Sequence, residues 1–390
     1  MCIGIWTLEH PDYALIICTN RDEYLDRPTQ DAHFHSFQDD HHRQNPSSVS
    51  GDILSGRDDK AGGSWFGLNR AGRVALLTNI TETPKSFTSS RGYLVSSFLL
   101  SDSSHPLEDE VGKIVPQDAK FAGFNLLLLA PAPLSSSSAP EKIEITEGRV
   151  GEREPEKEKA LVKSRKQKLA YDAIFVTNHG AGGRLNTRRL TSAERFCGCM
   201  SNGIDGQGGD EWPKVQRATR DFKEVLKSLS TDGTPRSEKE LIESLFDILT
   251  WRSPEPITQR AQLRNTVQVD PIPIVLDPPA AVLTTPSSNF TSSLAIAATP
   301  SAPSAGAPES LDAKPQYRLL APTAPGYENY YGTRLSTVLL VRRDGSVLLI
   351  ERDIWRLGKS GKPERLNYRE KRGVGDVKER CFEFKLDWKS

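Results

Sequence analysis

Met1-Cys2-Ile3-Gly4-Ile5-Trp6, followed by Thr19-Asn20-Arg21-Asp22-Glu23, is the stretch from which the rest of the chain is read. Residues 2 to 8 have the apolar density of a strand, Pro11-Asp12 supplies a turn, and Tyr13 to Thr19 is a returning apolar strand. The hairpin therefore brings Asn20-Arg21-Asp22-Glu23 back beside Cys2. If Met1 is trimmed, which the small Cys2 side chain permits, Cys2 carries a thiol and a free amine on one carbon. An α-amine titrates near ~7.7–8 and a free thiol near ~8.5, so the amine can take the thiol proton at neutral pH. One residue is then both nucleophile and base. The plainer alternative is a buried strand cysteine without chemistry.

Composition narrows the class. At 390 residues the chain has room for two average domains, but its low-complexity segments reduce the structured part to one. Lys+Arg and Asp+Glu both number 51, a formal charge of +0, and a nucleic-acid binder should show a basic excess. No apolar run approaches the ~18 residues of a membrane span. The start lacks a basic n-region and a long apolar h-region, so no secretory signal is expected and the chain reads as cytoplasmic. Cys2, Cys18, Cys197, Cys199 and Cys381 form no framework spacing and are expected as reduced thiols. Cys197 and Cys199 lie on one side of an expected strand, Phe196 to Ser201, as packing residues without a second pair for zinc.

Outward from the hairpin, His33, His35, His41 and His42 fall in a polar stretch read as a solvated loop, since no cysteine or carboxylate spacing accompanies them. Ser64 to Asn69 and Arg73 to Asn79 form a hairpin whose turn needs the positive φ of Gly72. Asn79, at the strand's end, offers an amide suited to an oxyanion hole, or is a turn asparagine. Arg91 to Leu100 reads as a helix and Phe121 to Ala130 as a strand buried on both faces. After a Ser- and charge-rich stretch with a short strand at Lys142 to Thr146, Asn202 closes the 196–201 strand as a second polar contact. Helices are expected from Pro213 to Leu229 and after the capping box at Ser237 to Glu240. Strands from Tyr331 to Val341, Ser346 to Glu351 and Cys381 to Leu386 complete the chain, the first two joined at Asp344-Gly345. Arg334, opening the first of them, can pin an anionic group or raise thiolate character at Cys2.

MCIGIW, TNRDEYLDRP from Thr19, GGSWFGLNRAGRVALLTN (62–79), FAGFNLLLLA (121–130), SNG (201–203) and YGTR (331–334) together resemble the NRDE family, the transport and Golgi organisation protein 2 family. The resemblance runs from Met1 to the last strand near Phe384. It implies an α+β fold, a four-layer αββα sandwich of the N-terminal-nucleophile hydrolase type. The chain would be one domain over 1–390 with insertions near 37–50, 131–170 and 262–325. It also implies a link to Golgi organisation and secretory transport, to mitochondrial lipid or acyl-coenzyme A handling and to haem trafficking, with Golgi or mitochondrial association. No settled activity comes with it.

The fold is also similar to that of the choloylglycine-hydrolase and penicillin-acylase branch, whose pattern implies Cys2, Asp22, Asn79, Asn202 and Arg334 as catalytic residues. Asn20 and Arg21 are expected to bind substrate. The arginine that branch carries three residues before its aspartate falls here on Thr19. Strand neighbours point to opposite faces, so Arg21 and Asp22 cannot both face Cys2 while the strand stays regular. No cofactor or metal is expected, and the implied partner is a small acyl, lipid or haem ligand, with no nucleic acid, no transmembrane segment and an open oligomeric state. The residues leave two readings: hydrolysis of an amide or thioester through Cys2, or binding of an acyl-coenzyme A, lipid or haem without turnover.

Overall fold

A computed structural model describes residues 2–37, 51–83, 87, 89–103, 105–115, 120–133, 168–228, 237–257, 259–274, 329–366 and 379–388. Its strands are β1 (Ile3–Thr7), β2 (Tyr13–Tyr24), β3 (Thr29–His35), β4 (Ile53–Asp58), β5 (Phe66–Asn69), β6 (Val74–Asn79), β7 (Phe124–Pro133) and β8 (Leu169–Thr177). Then come β9 (Asn186–Arg189), β10 (Gly198–Met200), β11 (Ile272–Ile274), β12 (Asn329–Arg342), β13 (Ser346–Asp353), β14 (Trp355–Leu357), β15 (Pro363–Arg365) and β16 (Glu379–Lys385). The α-helices are α1 (Gly92–Leu100), α2 (Leu107–Ile114), α3 (Ser192–Cys197), α4 (Pro213–Ser228) and α5 (Glu238–Leu249).

The hairpin at the start of the chain forms as expected: β1 pairs antiparallel with β2, Ile3 opposite Asn20 and Thr7 opposite Ile16. One sheet runs in the order β10-β1-β2-β12-β13-β16 and the other β3-β4-β5-β6-β7-β8-β9. Period-two alternation then sorts each strand's side chains between two environments. From the first sheet Trp6, Leu15, Ile17, Leu339 and Leu349 meet Leu68, Leu76, Leu127 and Leu129 of the second, forming the core between the sheets. The opposite face of the first sheet, with Ile5, Ile16, Cys18, Val338 and Leu340, is covered by Phe222 of α4 and Leu245 and Leu249 of α5. The outer face of the second, with Ala75, Leu77, Leu126 and Leu128, is covered by Val95 and Phe98 of α1 and Val111 of α2. These strands read as unbroken apolar runs because both their faces are buried. The architecture is the expected α+β sandwich of four layers, helices, sheet, sheet, helices.

Two glycines fix details near the chain's start. A Cβ on Gly4 would sit 2.2 Å from Leu76 Cδ2, so any larger residue there would have to displace the Leu76 methyl that β1 packs on in the second sheet. Gly72, at φ 93°, turns the β5–β6 hairpin as expected.

Several expectations need correction. His33 and His35 are not loop residues: they lie on β3, opposite Ser55 and Ile53 of β4, and the His35 ring shares a buried 2.9 Å hydrogen bond with Ser55 Oγ. His41, His42 and the strand at 142–146 lie outside the described residues. Phe196 to Ser201 is not one strand, because a capping box between Thr191 and Glu194 nucleates α3, which ends at Cys197 and leaves only Gly198–Met200 extended. The insertion bounds at 131 and 170 fall inside β7 and β8, which pair as far as Pro133 opposite Leu169. The bound at 262 falls inside a packed segment, with Leu263, Val267 and Val269 at most 1% exposed.

One compact unit takes in 1–272 and 330–390; a second, 273–329, lies almost wholly outside the described residues. Among the described residues no helix is long and apolar enough to cross a membrane. No group of three or more His, Cys, Asp or Glu among them is arranged to hold a metal ion.

Candidate active site at Cys2

Cys2 opens β1 at the end of the first sheet, half-buried. Its thiol donates to the main-chain carbonyl of Asp22 at 3.7 Å, and the Tyr331 hydroxyl donates to the same oxygen at 2.9 Å. The Cys2 carbonyl in turn accepts from Ser201 Oγ at 2.8 Å and from Lys214 Nζ at 3.3 Å. Cys2 is thereby tied to β2 on one side, to the turn after β10 on the other and to the first turn of α4. Burial pushes its thiol above the ordinary range, and the Asp22 charge pushes the same way.

Lys214 follows Pro213, which suits the first helical position because its missing N–H would be unsatisfied there anyway. Its side chain is 0% exposed. Burial lowers its pKa, while Asp22 and then Cys2 favour the ammonium. Nothing in the sequence singled Lys214 out: it precedes Val215 on a helix whose buried stripe reads as core.

Asp22 is also buried, and its Oδ1 accepts from Thr333 Oγ at 2.6 Å. Thr333 Oγ itself accepts from Val269 N–H at 2.8 Å, so its proton is directed to Asp22. Thr333 pairs with Asp22 across the β2–β12 ladder, and the ladder resumes at Leu335 opposite Arg21. Arg334 is thus the extra residue of a bulge, a device that re-aims a side chain beside a site.

β2 runs unbroken to Tyr24, so Arg21 and Asp22 point to opposite faces, as alternation requires. Arg21 takes the face between the sheets. Its guanidinium lies 3.7 Å from the Trp65 ring centroid and its Nη1 donates to Thr29 Oγ at 3.2 Å. Thr19, where the acylases carry arginine, spends its hydroxyl on the Ile3 carbonyl at 2.8 Å. Arg21 stands two residues further along the same face. Burial lowers its pKa to about 10. Arg334 Nη1 donates to the carbonyls of Arg27 and Tyr24 and, at 3.2 Å, to Thr29 Oγ.

The two asparagines meet, but unequally. Asn202 Nδ2 donates to the carbonyl of Asn79, while Thr81 N–H returns a bond to the Asn202 carbonyl at 2.8 Å. Alternation puts Asn79 on the face of Ala75 and Leu77, so its link to Asn202 runs through its carbonyl rather than its amide. The turn carrying Asn202 is held by Thr78 Oγ and Asn125 Nδ2 on the Ser201 carbonyl, at 2.6 and 3.0 Å.

Asn20, expected to bind, is used structurally instead. Its Nδ2 donates to the carbonyls of Leu249 and Val267 at 2.9 and 3.1 Å, and its Oδ1 accepts from Ser336 Oγ at 2.6 Å. It faces the helices with Cys18 and Ile16 and locks α5 to the sheet. Ser201, Tyr331 and Thr333 were missed as individuals although SNG and YGTR contain them, because only the fold brings them to Cys2.

The arrangement gathers a thiol, a buried ammonium, a buried carboxylate and the Asn202 amide around the start of β1, groups of the kind an acyl-transfer site uses, while the Asn79 side chain lies on the other face of its own strand. Among solved structures, a Caenorhabditis elegans N-acylethanolamine-hydrolyzing acid amidase ortholog matches 63% of this chain and 85% of its own at 10% identity and a TM-score of 0.35. A mutant conjugated bile acid hydrolase from Clostridium perfringens matches 100% and 99% at 8% identity and a TM-score of 0.35. Likenesses at that score say nothing about chemistry. A mouse protein named Transport and Golgi organization 2 homolog is 32% identical over 154 residues, 36% of this chain and 50% of that protein. The chain thus spans about half the length of the curated relatives it matches, or less. The family model described as Transport and Golgi organisation 2 matches residues 1–356, and the chain belongs to that family.

Proposed function

We propose that the protein, once Met1 is removed, is an N-terminal-nucleophile hydrolase of an amide or thioester, working in the setting of Golgi organisation and transport that its relatives' names carry. The observation that supports this most is the double hold on Cys2: its thiol on the Asp22 carbonyl, its own carbonyl on Ser201 and Lys214. Such restraint keeps sulfur and α-nitrogen in fixed relation, which proximity catalysis needs. The freed α-amine takes the thiol proton, and sulfur bonds to the substrate carbonyl carbon. The second N–H of Asn202 Nδ2 steadies the oxyanion. The bond to the leaving amine or thiol breaks, the leaving group takes the proton, and water then cleaves the acyl-thioester to a carboxylic acid and free Cys2.

A second reading makes the surroundings of Cys2 a binding site for an acyl-coenzyme A, lipid or haem without turnover. The burial that raises the Cys2 thiol favours it, since a thiol is a weak nucleophile.

Intact-mass measurement of the native protein with a thiol-reactive probe separates the two. Loss of Met1 together with labelling of Cys2 ahead of exposed Cys381 is the expected outcome. A retained or blocked amine would leave only the binding reading.

A further inference from the structure

Arg21 and Arg334 present an unusual pairing of like charges. Both donate through Nη1 to the same oxygen, Thr29 Oγ, each at 3.2 Å. Two guanidiniums held this near repel each other, and Arg21 is only 4% exposed, so water screens the repulsion poorly. Neither has a carboxylate at ion-pair distance among the described residues; their partners are carbonyls, a hydroxyl and the Trp65 face. Arg27 nearby shows the contrast, chelating Asp58 at 3.1 and 2.6 Å. Glu23, the carboxylate that bears most on both cations, makes no ion pair with either; it accepts from Tyr24 N–H at 2.9 Å and lies 3.9 Å from Arg27.

The geometry leaves donors to spare. Nε and Nη2 of both arginines have no protein partner among the described residues. Thr29 and Arg334 are half-buried, so the pair reaches solvent along that edge. The bulge that re-aims Arg334 is what lets it meet Arg21 across Thr29. The pair lies close to Cys2: Arg21 is the next β2 residue after Asn20, which sits opposite Ile3, and Cys2 is among the charges bearing on Arg21.

We infer that Arg21 and Arg334, with Trp65 as a floor, form a subsite for a carboxylate or phosphate of the ligand, placed beside Cys2. Planar guanidinium forks match such oxyanions by paired N–H···O bonds, and a bound anion relieves the repulsion between the two cations. The inference deepens the hydrolase reading and rests on it only in calling the ligand a substrate: an acyl compound whose anionic group lies near the scissile carbonyl.

The test compares alkylation of Cys2 in the native protein by iodoacetate and by iodoacetamide, matched reagents that differ in charge, against a free peptide that begins at the same residue as the native protein and ends at Leu8. The expected iodoacetate-to-iodoacetamide rate ratio at Cys2 exceeds the peptide's by about tenfold or more, the factor one hydrogen bond between charged groups supplies. It falls to the peptide's value in Arg21→Gln and Arg334→Gln; where either variant does not fold, Arg21→Lys or Arg334→Lys, which lose the fork but keep the charge, are read instead. Protection by inorganic phosphate over acetate identifies a phosphate subsite, and the reverse a carboxylate subsite. A native ratio equal to the peptide's, or unchanged in the variants, overturns the subsite while leaving the nucleophile standing. If Cys2 reacts with neither reagent, the hydrolase reading falls, and equilibrium dialysis with phosphate and acetate decides. Binding lost in both arginine variants then supports the subsite, and no binding ends it.

Discussion

A lysine ammonium wholly withdrawn from water, as at Lys214, persists only where nearby oxygens and charges offset its lost hydration. Here the Cys2 carbonyl and the Asp22 charge do so, and the effect is mutual: an ammonium that Cys2 helps to keep charged must itself favour the Cys2 thiolate. Lys214→Met should therefore move the inflection of the pH–rate profile for Cys2 alkylation upward by about one unit, cutting the rate near pH 8 about tenfold. An unmoved inflection in a folded variant would reduce Lys214 to packing. At this scale the sequence was partly legible. Cys2, Asp22 and Asn202 are flagged by position and strand ends, and Thr19 by the arginine it replaces. Lys214 carries no such mark, since its partner Cys2 lies 212 residues away in the chain. Asn20 misled for the same reason: an asparagine at a strand end looks available until the carbonyls of Leu249 and Val267 are brought to it.

The β1–β2 turn depends on a histidine that the hairpin pattern alone did not reveal. His10 Nδ1 accepts from the N–H groups of Asp12 and Tyr13 at 3.1 and 3.3 Å, a role open only to neutral imidazole. Burial lowers its pKa; Asp12 opposes this and Arg343, whose guanidinium binds the His10 carbonyl, adds to it. A folded value below the unfolded ~6.5 means that the unfolded chain binds the proton first. The stabilisation is complete above the unfolded pKa and is lost as pH falls through the folded one. Thermal midpoints measured from pH 7.5 to pH 5 should accordingly fall further for the native protein than for His10→Asn, whose amide oxygen can accept the same N–H groups without titrating. Equal slopes would deny His10 the role. Hairpins and capped helices were legible as elements because their signals are local: Gly72, Asp344-Gly345, Ser237 with Glu240. The strands β3 and β8 were not. β3 carries polar residues on its exposed face, and β8 follows a long charged run, so neither stands out as an apolar pattern until its partner strand is beside it.

On the scale of the whole molecule, the catalytic reading requires that the long low-complexity segments be additions to the sandwich rather than parts of it. The join between β7 and β8 allows a clean test. Pro133 and Leu169 face each other at the end of that ladder, so two strand ends that a hairpin turn of two to five residues normally closes are here joined by residues 134–168. Leu169 has anchors of its own, its N–H on the Arg343 carbonyl at 2.9 Å and its carbonyl on Arg343 Nη1 at 3.1 Å. Neither anchor, nor any contact described around Cys2, calls on 134–167. Replacing 134–167 with Asn-Gly shortens the loop by about four doublings, which lowers the entropy of closure and should leave stability unchanged or raise it by up to roughly 2 kcal/mol. The Cys2 alkylation rate should stay within about twofold of the native protein's, because the residues that hold Cys2 come from β2, β12, α4 and the turn after β10. A thermal midpoint lowered by more than about 4 °C, the shift expected for a loss of 1 kcal/mol or more in a domain of this size, would show that the segment packs on the sandwich. A preserved midpoint with altered Cys2 reactivity would instead make the segment part of the site, and the choice between hydrolase and binder would then have to include it.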